Sequence, residues 1–264
     1  MLIPAPYYTS IGLLLLAAAL SALAGLLPYE LLSLLVIFAC ALHIFVKAGN
    51  KPVWQRAFFW LCAVVLGLAI GLFRPEGFNY PLLFSAKALP FDLYLNLGKA
   101  FAGYLALVLL AAQLHSLKKR SLIVSLGLVL SFCCLIFVVA IPLLGLQLQL
   151  KALNYIAVFA VVNLLITCVS EEVFMRLLFQ LQISRVLGRR ISSSALRQSI
   201  AAVVTALLFT LTHAIGDGRV FAVYLLAGLA YGFIFALSGR LLMAIALHFL
   251  VNIIHFSFLT YPLA

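Results

Sequence analysis

Residues 155–179 read YIAVFAVVNLLITCVSEEVFMRLLF. The run exceeds the roughly 20 apolar residues that cross a bilayer, and it lacks the alternation of a barrel strand. It predicts a membrane-spanning helix. Yet it carries Glu171, Glu172 and Arg176, and ionisable groups inside a membrane helix are costly enough to mark a functional site by default.

The rest of the chain agrees with this reading. Of 264 residues, 67% are hydrophobic and 9% charged, against roughly half and a quarter in a soluble domain. Further apolar runs lie at about 11–27, 31–45, 57–73, 97–114, 122–146, 200–215, 220–237 and 241–258. The expected fold is all-α, a polytopic transmembrane bundle of about 8–9 helices.

The net charge of +11 would suit a nucleic-acid partner if it lay on one folded face. Instead the cations fall in short gaps between apolar runs, so membrane orientation explains them and no nucleic acid is needed. Even-numbered gaps hold Lys47, Lys51, Arg56, Lys118, Lys119, Arg120, Arg185, Arg189, Arg190, Arg197 and Arg240. Odd-numbered gaps hold only Arg74, Lys87, Lys99, Lys151 and Arg219. The positive-inside rule then puts the even gaps and the N-terminus in the cytosol and the C-terminus outside. Short loops suggest a prokaryotic inner membrane. The start MLIPAPYYTS has no Lys or Arg, which predicts a retained helix and not a cleaved signal peptide.

Between the runs, residues 74–96 contain Pro75, Gly77, Pro81 and Pro90 and read as an external loop with an interfacial segment at FDLYLNL. RRISSSALR, at 189–197, reads as a connection facing anionic lipid, its serines placed to cap the next helix. Cys40, Cys62, Cys133, Cys134 and Cys168 lie in apolar runs without CxxC spacing and read as small hydrophobes.

Helix geometry, at about 100° per residue, separates the two glutamates. Glu172 and Arg176 are four apart and form an ion pair on one face. Glu171 has no partner in its own helix and is the candidate general base. FTLTH places Phe209 and His213 on one face of the seventh helix, and HFLVN does the same for His248 and Asn252 in the ninth. Lipid offers these groups no hydrogen bonds, so they are expected to face a common interior. A base, two imidazoles and an amide are sufficient parts for hydrolysis.

The ordered set EEVFMR (171–176), FTLTH (209–213) and HFLVN (248–252) resembles the CPBP intramembrane proteases. That family includes the type II CAAX prenyl endopeptidases and bacteriocin-processing or self-immunity proteins. The resemblance implies that Glu171 and His213 activate water and that His248 and Asn252 form the oxyanion site, with Glu172, Arg176 and Phe209 in support. It covers about 155–258, so residues 155–264 are read as the catalytic core and 1–154 as membrane helices of unassigned role. Leu177 departs from the family, which often has Gly after the Arg.

Glu171, His213 and His248 could also serve as three zinc ligands. HExxH is absent and Asn252 is a poor zinc ligand, so a metal-independent site is favoured, zinc remaining the rival. The expected substrate is a membrane-associated or lipidated protein or peptide. A non-proteolytic immunity or scaffold protein, binding a partner helix through the same polar core, is the alternative. A proton-coupled transporter lacks the expected repeat. His255, His43 and His115 read as packing or interfacial residues, while Thr212 could support His213 or bond its own backbone. One depth mismatch follows: Glu171 and His213 lie about 21–22 Å from the cytosolic boundary and His248 only about 10 Å, at 1.5 Å per residue. They meet only if the 238–240 turn is sunk into the protein or the helices tilt.

Overall fold

The computed structural model describes residues 5–86 and 91–262. Lys87 and Pro90, and the first four residues of the MLIPAPYYTS start, lie outside the described residues. Nine helical segments appear among the described residues: α1 (Ala5–Leu23), α2 (Tyr29–Lys47), α3 (Val53–Leu72), α4 (Leu97–Leu110), α5 (Leu122–Leu144), α6 (Leu153–Leu187), α7 (Ser194–Leu211), α8 (Gly218–Ser238) and α9 (Leu241–Phe258). A 3₁₀ turn, Ala111–Ser116, prolongs α4. Eight of the helices are long and apolar enough to cross a membrane, and α1 contains a shorter apolar stretch, Tyr7–Leu23. The chain is an all-α, multi-pass integral membrane protein.

Local chemistry sets the helix ends. Asn96 and Ser193 accept from the backbone N–H three residues on, starting α4 and α7. The serine cap expected in RRISSSALR is therefore present. Asp217 accepts from the Arg219 and Val220 N–H groups and starts α8. These bonds, the Val220 N–H first, hold its carboxyl below the usual aspartate range. Gly145 and Gly239, at φ of 60° and 65°, close α5 and α8 in the left-handed conformation.

On α2, Leu31, Leu35, Phe38 and Leu42 recur at helical spacing and are fully buried. Ile123 and Val138 of α5 and Leu153 of α6 are more than two-thirds exposed, as side chains meeting acyl chains would be. Helix α6 packs against α4, α7 and α9, and α5 packs against α8 and α9. The glutamate-bearing helix is thus enclosed by neighbours from both halves of the chain.

Three sequence boundaries change. First, α6 runs on past Phe179 to Leu187, so at about 1.5 Å per residue its end projects beyond the hydrocarbon layer. Second, α7 stops at Leu211, and His213 lies in the turn beyond it. The Thr212 hydroxyl donates to Phe209 O at 2.7 Å, competing with the helical ladder, and Ala214 turns the chain away at φ 50°. Third, the loop read at 74–96 contains a hairpin: Phe91–Tyr94 (β2), within FDLYLNL, pairs antiparallel with Leu82–Ala86 (β1), Ser85 opposite Asp92. Alternation decides this, with Phe84, Phe91 and Leu93 packed on an aromatic cluster of Tyr155, Phe159, Phe256 and Tyr261. The hairpin covers one end of the site.

Candidate active site

Within α6 the hydrogen-bond pattern widens to π at Asn163–Cys168 and again at Val173–Gln180, leaving a short α turn, Val169–Glu172, between them. Such widenings occur often at functional sites because they re-aim side chains within a continuous helix. Leu177, the departure from the family pattern, lies in the second widened stretch and is fully buried.

The two glutamates have different partners. Glu172 is fully buried: its Oε2 accepts from Arg176 Nε at 2.8 Å and its Oε1 from His248 Nδ1 at 2.9 Å. Arg176 Nη1 donates to Gln180 Oε1 at 2.6 Å, and Gln180 Nε2 donates to Gly232 O at 2.8 Å. The expected Glu172–Arg176 pair is therefore one link in a chain tying α6 to α8 and α9. Charges taken this far from water persist only with good geometry and further hydrogen bonds, which this network supplies.

Glu171 does have a partner, 72 residues away. Lys99 Nζ of α4 lies 2.5 Å from its Oε1, and His248 Nε2 lies 3.9 Å from its Oε2. One imidazole thus stands between the two carboxylates. Sequence reasoning counted Lys99 as a loop cation, because it falls at the start of an apolar run. The structure places it in the first turn of α4, above the Asn96 cap.

His213 Nδ1 is 2.7 Å from Phe209 O. A carbonyl only accepts, so Nδ1 carries the hydrogen and the neutral ring keeps its lone pair on Nε2. The Phe209 ring packs against His213 at 4.6 Å and edge-on to His248 at 5.9 Å. Tyr231, which sequence reasoning passed over as one more aromatic in an apolar helix, stacks on His248 at 4.6 Å.

Asn252 Nδ2 lies 3.9 Å from Cys168 Sγ, which donates to Asn163 Oδ1 at 3.1 Å. Cys168 is fully buried and engaged behind the cavity wall. Thr212 bonds its own helix, and His255, whose Nε2 bonds Thr260 O at 3.0 Å, also lines the first cavity described below. His43 meets the Tyr8 ring, and His115 Nδ1 meets Ala112 O, both away from the site.

Two cavities meet at these residues. One of about 350 Å³ is lined by Glu171, Phe209, His213, His248 and Asn252 and by apolar and aromatic groups, Phe91 of the hairpin among them. The other, about 370 Å³, holds Arg74, Asn96 and Lys99 and shares Glu171, Phe209 and His213 with the first. The candidate base and the His213 imidazole stand on the wall between them.

The turn between α8 and α9 is packed inside the bundle. Ser238 is fully buried, and its carbonyl accepts from Arg120 N at 3.0 Å. Residues 118–120 therefore cover this turn, and α9 starts inside the protein.

A metal ion does not fit the three candidate ligands as they stand. Lys99 already places an ammonium on Glu171, and Glu172 holds one nitrogen of His248. Among the described residues, no group of three or more His, Cys, Asp or Glu is arranged to hold a metal.

Fold and site together define a class: a polytopic helical membrane protein enclosing a carboxylate–imidazole cluster beside cavities of ligand size. Residues 153–254 match the family model described as type II CAAX prenyl endopeptidase Rce1-like. The match takes in all three motifs and leaves α1 to α5 outside it. Comparisons with curated proteins and with solved structures gave no match. The matched family is one of proteases, and the segment that matches it supports an intramembrane protease.

Proposed function

We propose that the chain is an intramembrane endopeptidase hydrolysing a peptide bond of a membrane-associated or lipidated protein or peptide. The observation that carries this reading is the convergence of Glu171, His213, His248 and Asn252 on one cavity, with the His213 Nε2 lone pair left for water. Glu171 and His213 take a proton from water as its oxygen attacks the scissile carbonyl. Asn252 Nδ2 and His248 donate to the resulting oxyanion. His248 does so from Nε2 as an imidazolium, since Glu172 already holds its Nδ1 hydrogen. Collapse breaks the C–N bond, and the departing amine takes up the proton held by Glu171 or His213.

In this reading residues 155–264 supply the reacting groups, and the helices of 1–154 supply Lys99, which orients Glu171. The mostly apolar cavity wall suits a lipid-bearing or apolar segment. The cation distribution favours a cytosolic N-terminus, and the short loops favour a prokaryotic inner membrane.

Comparison of membrane-protein termini in cells carrying the wild type or Glu171→Gln tests this function and names the substrate. New termini should appear only with the wild type; identical termini, with the same phenotype, would instead leave the immunity or scaffold reading. Cleavage should also survive treatment of the purified enzyme with a chelator. Stoichiometric zinc whose removal stops turnover overturns the metal-independent mechanism.

A further inference from the structure

A third depression, of about 860 Å³, lies at the opposite end of the fold from the hairpin. Its walls come from three stretches of chain, 116–120, 180–198 and 235–239. They carry Lys118, Lys119, Arg120, Arg185, Arg189 and Arg197, and no carboxylate. The chain's acids all lie elsewhere, at Glu30, Glu76, Asp92, Glu171, Glu172 and Asp217. Among the described residues none of the six cations is in an ion pair. The contacts of Arg185 and Arg197 are to neutral oxygens, Gln113 Oε1 and Ile191 O. Like charges around one concave surface repel, and concave walls focus their field on whatever enters.

The fold nevertheless holds them there. Arg240 Nε and Nη2 donate to Arg120 O at 3.3 and 3.2 Å, and Arg120 N donates to Ser238 O. Gly239 packs so closely on Lys118 that an added Cβ would stand 3.0 Å from the Lys118 carbonyl carbon. Three of the cations are thereby fixed on a buried turn and do not ride a free loop. Neutral donors, Ser116, Ser184, Ser194 and Gln198, complete the wall.

We propose that this depression binds a phosphate-bearing anion, namely the headgroup of an anionic phospholipid. Guanidinium groups and hydroxyls together match phosphate oxygens, and the volume suits a ligand larger than a single ion. The source is argued from position. α5 and α7 begin here, and α6 and α8 end here, so the depression opens at the polar boundary of the bundle, where lipid phosphates stand and where basic pockets between membrane helices recruit them. None of Glu171, His213, His248 and Asn252 lines the depression, though its wall shares Gln180 with the Glu172–Arg176 network, and the proposal does not depend on the proposed proteolysis.

Native mass spectrometry of the full chain in neutral detergent tests it with three probes: dioleoylphosphatidylglycerol, dioleoylphosphatidylcholine and inorganic pyrophosphate. The anionic lipid should bind at least tenfold tighter than the zwitterionic one. Lys119→Gln/Arg189→Gln should lower that binding at least tenfold, while the charge-conserving Lys119→Arg/Arg189→Lys retains it. Lys47→Gln/Lys51→Gln removes the same charge from outside the depression and should change binding less than twofold. Equal losses in the two neutralised variants would mean diffuse attraction and overturn the site. Pyrophosphate that binds tighter than the anionic lipid, and displaces it, would overturn the lipid assignment in favour of a soluble phosphate compound.

Discussion

Glu171 and Glu172 are neighbours in sequence, but burial and partners give them different chemistry. Glu172 is enclosed between Arg176 and His248 and has no open side, whereas Glu171 borders both cavities. Removing one member of a buried pair leaves the other charge unpaired, at a cost of about 3–5 kcal/mol. Arg176→Met should therefore lower the unfolding free energy by about that much. Glu172→Leu/Arg176→Met should recover a large part of it, because neither charge remains. Denaturant unfolding of the four members of this cycle checks the coupling, and strictly additive losses would show that the pair does not act as a unit. The Glu172–Arg176 pair was legible in the sequence because helical neighbours four apart must meet. Lys99 was not, because only packing brings α4 to α6, and a lysine at the edge of an apolar run looks like any interfacial cation.

At the level of elements, the contact between α4 and α6 determines whether Lys99 reaches Glu171. The crossing is close because Gly103, one turn along from Lys99, lies against Ser170, where an added Cβ would come within 2.7 Å of the Ser170 Cα. Backbone at that distance cannot yield as a side chain can. Gly103→Val should push the two helices apart and draw Lys99 off the carboxylate, with turnover falling at least tenfold; Lys99→Met should reproduce that loss without the packing change. Rates for both variants, with thermal unfolding alongside, separate the effects. A Gly103→Val enzyme of wild-type rate would show that the crossing does not set the site. The two π segments of α6 and the early end of α7 escaped sequence reading for a related reason. Both are departures from the regular helical ladder, and hydrophobic periodicity does not record them. The serine cap of α7 was legible because it needs only Ser193 and the backbone beside it.

For the molecule as a whole, the nine apolar runs each correspond to a helix, since lipid-length apolar sequence has few other ways to satisfy its backbone. Sidedness rests on a different force, the bias of Lys and Arg toward the cytosol. The structure joins several even-numbered gaps at one end: Arg120 meets Ser238, and Arg185 meets Gln113, just before the fourth gap. The hairpin lies at the other end, with Arg74 over the ring of Tyr80. Counted by the helix bounds, Lys99 and Arg219 leave the odd gaps and Lys47, Arg56, Arg185 and Arg197 leave the even ones, and the bias keeps its direction. A single cysteine at Ser192, between α6 and α7, should accordingly react with an impermeant thiol reagent only in inverted vesicles, and one at Gly77 only in intact cells. Cys40 and Cys134 are replaced by Ala in both variants, being the exposed native thiols. The reverse labelling pattern would invert the bundle and move the cationic depression to the outer leaflet. Labelling of both positions from one side would mean that one run between them does not cross.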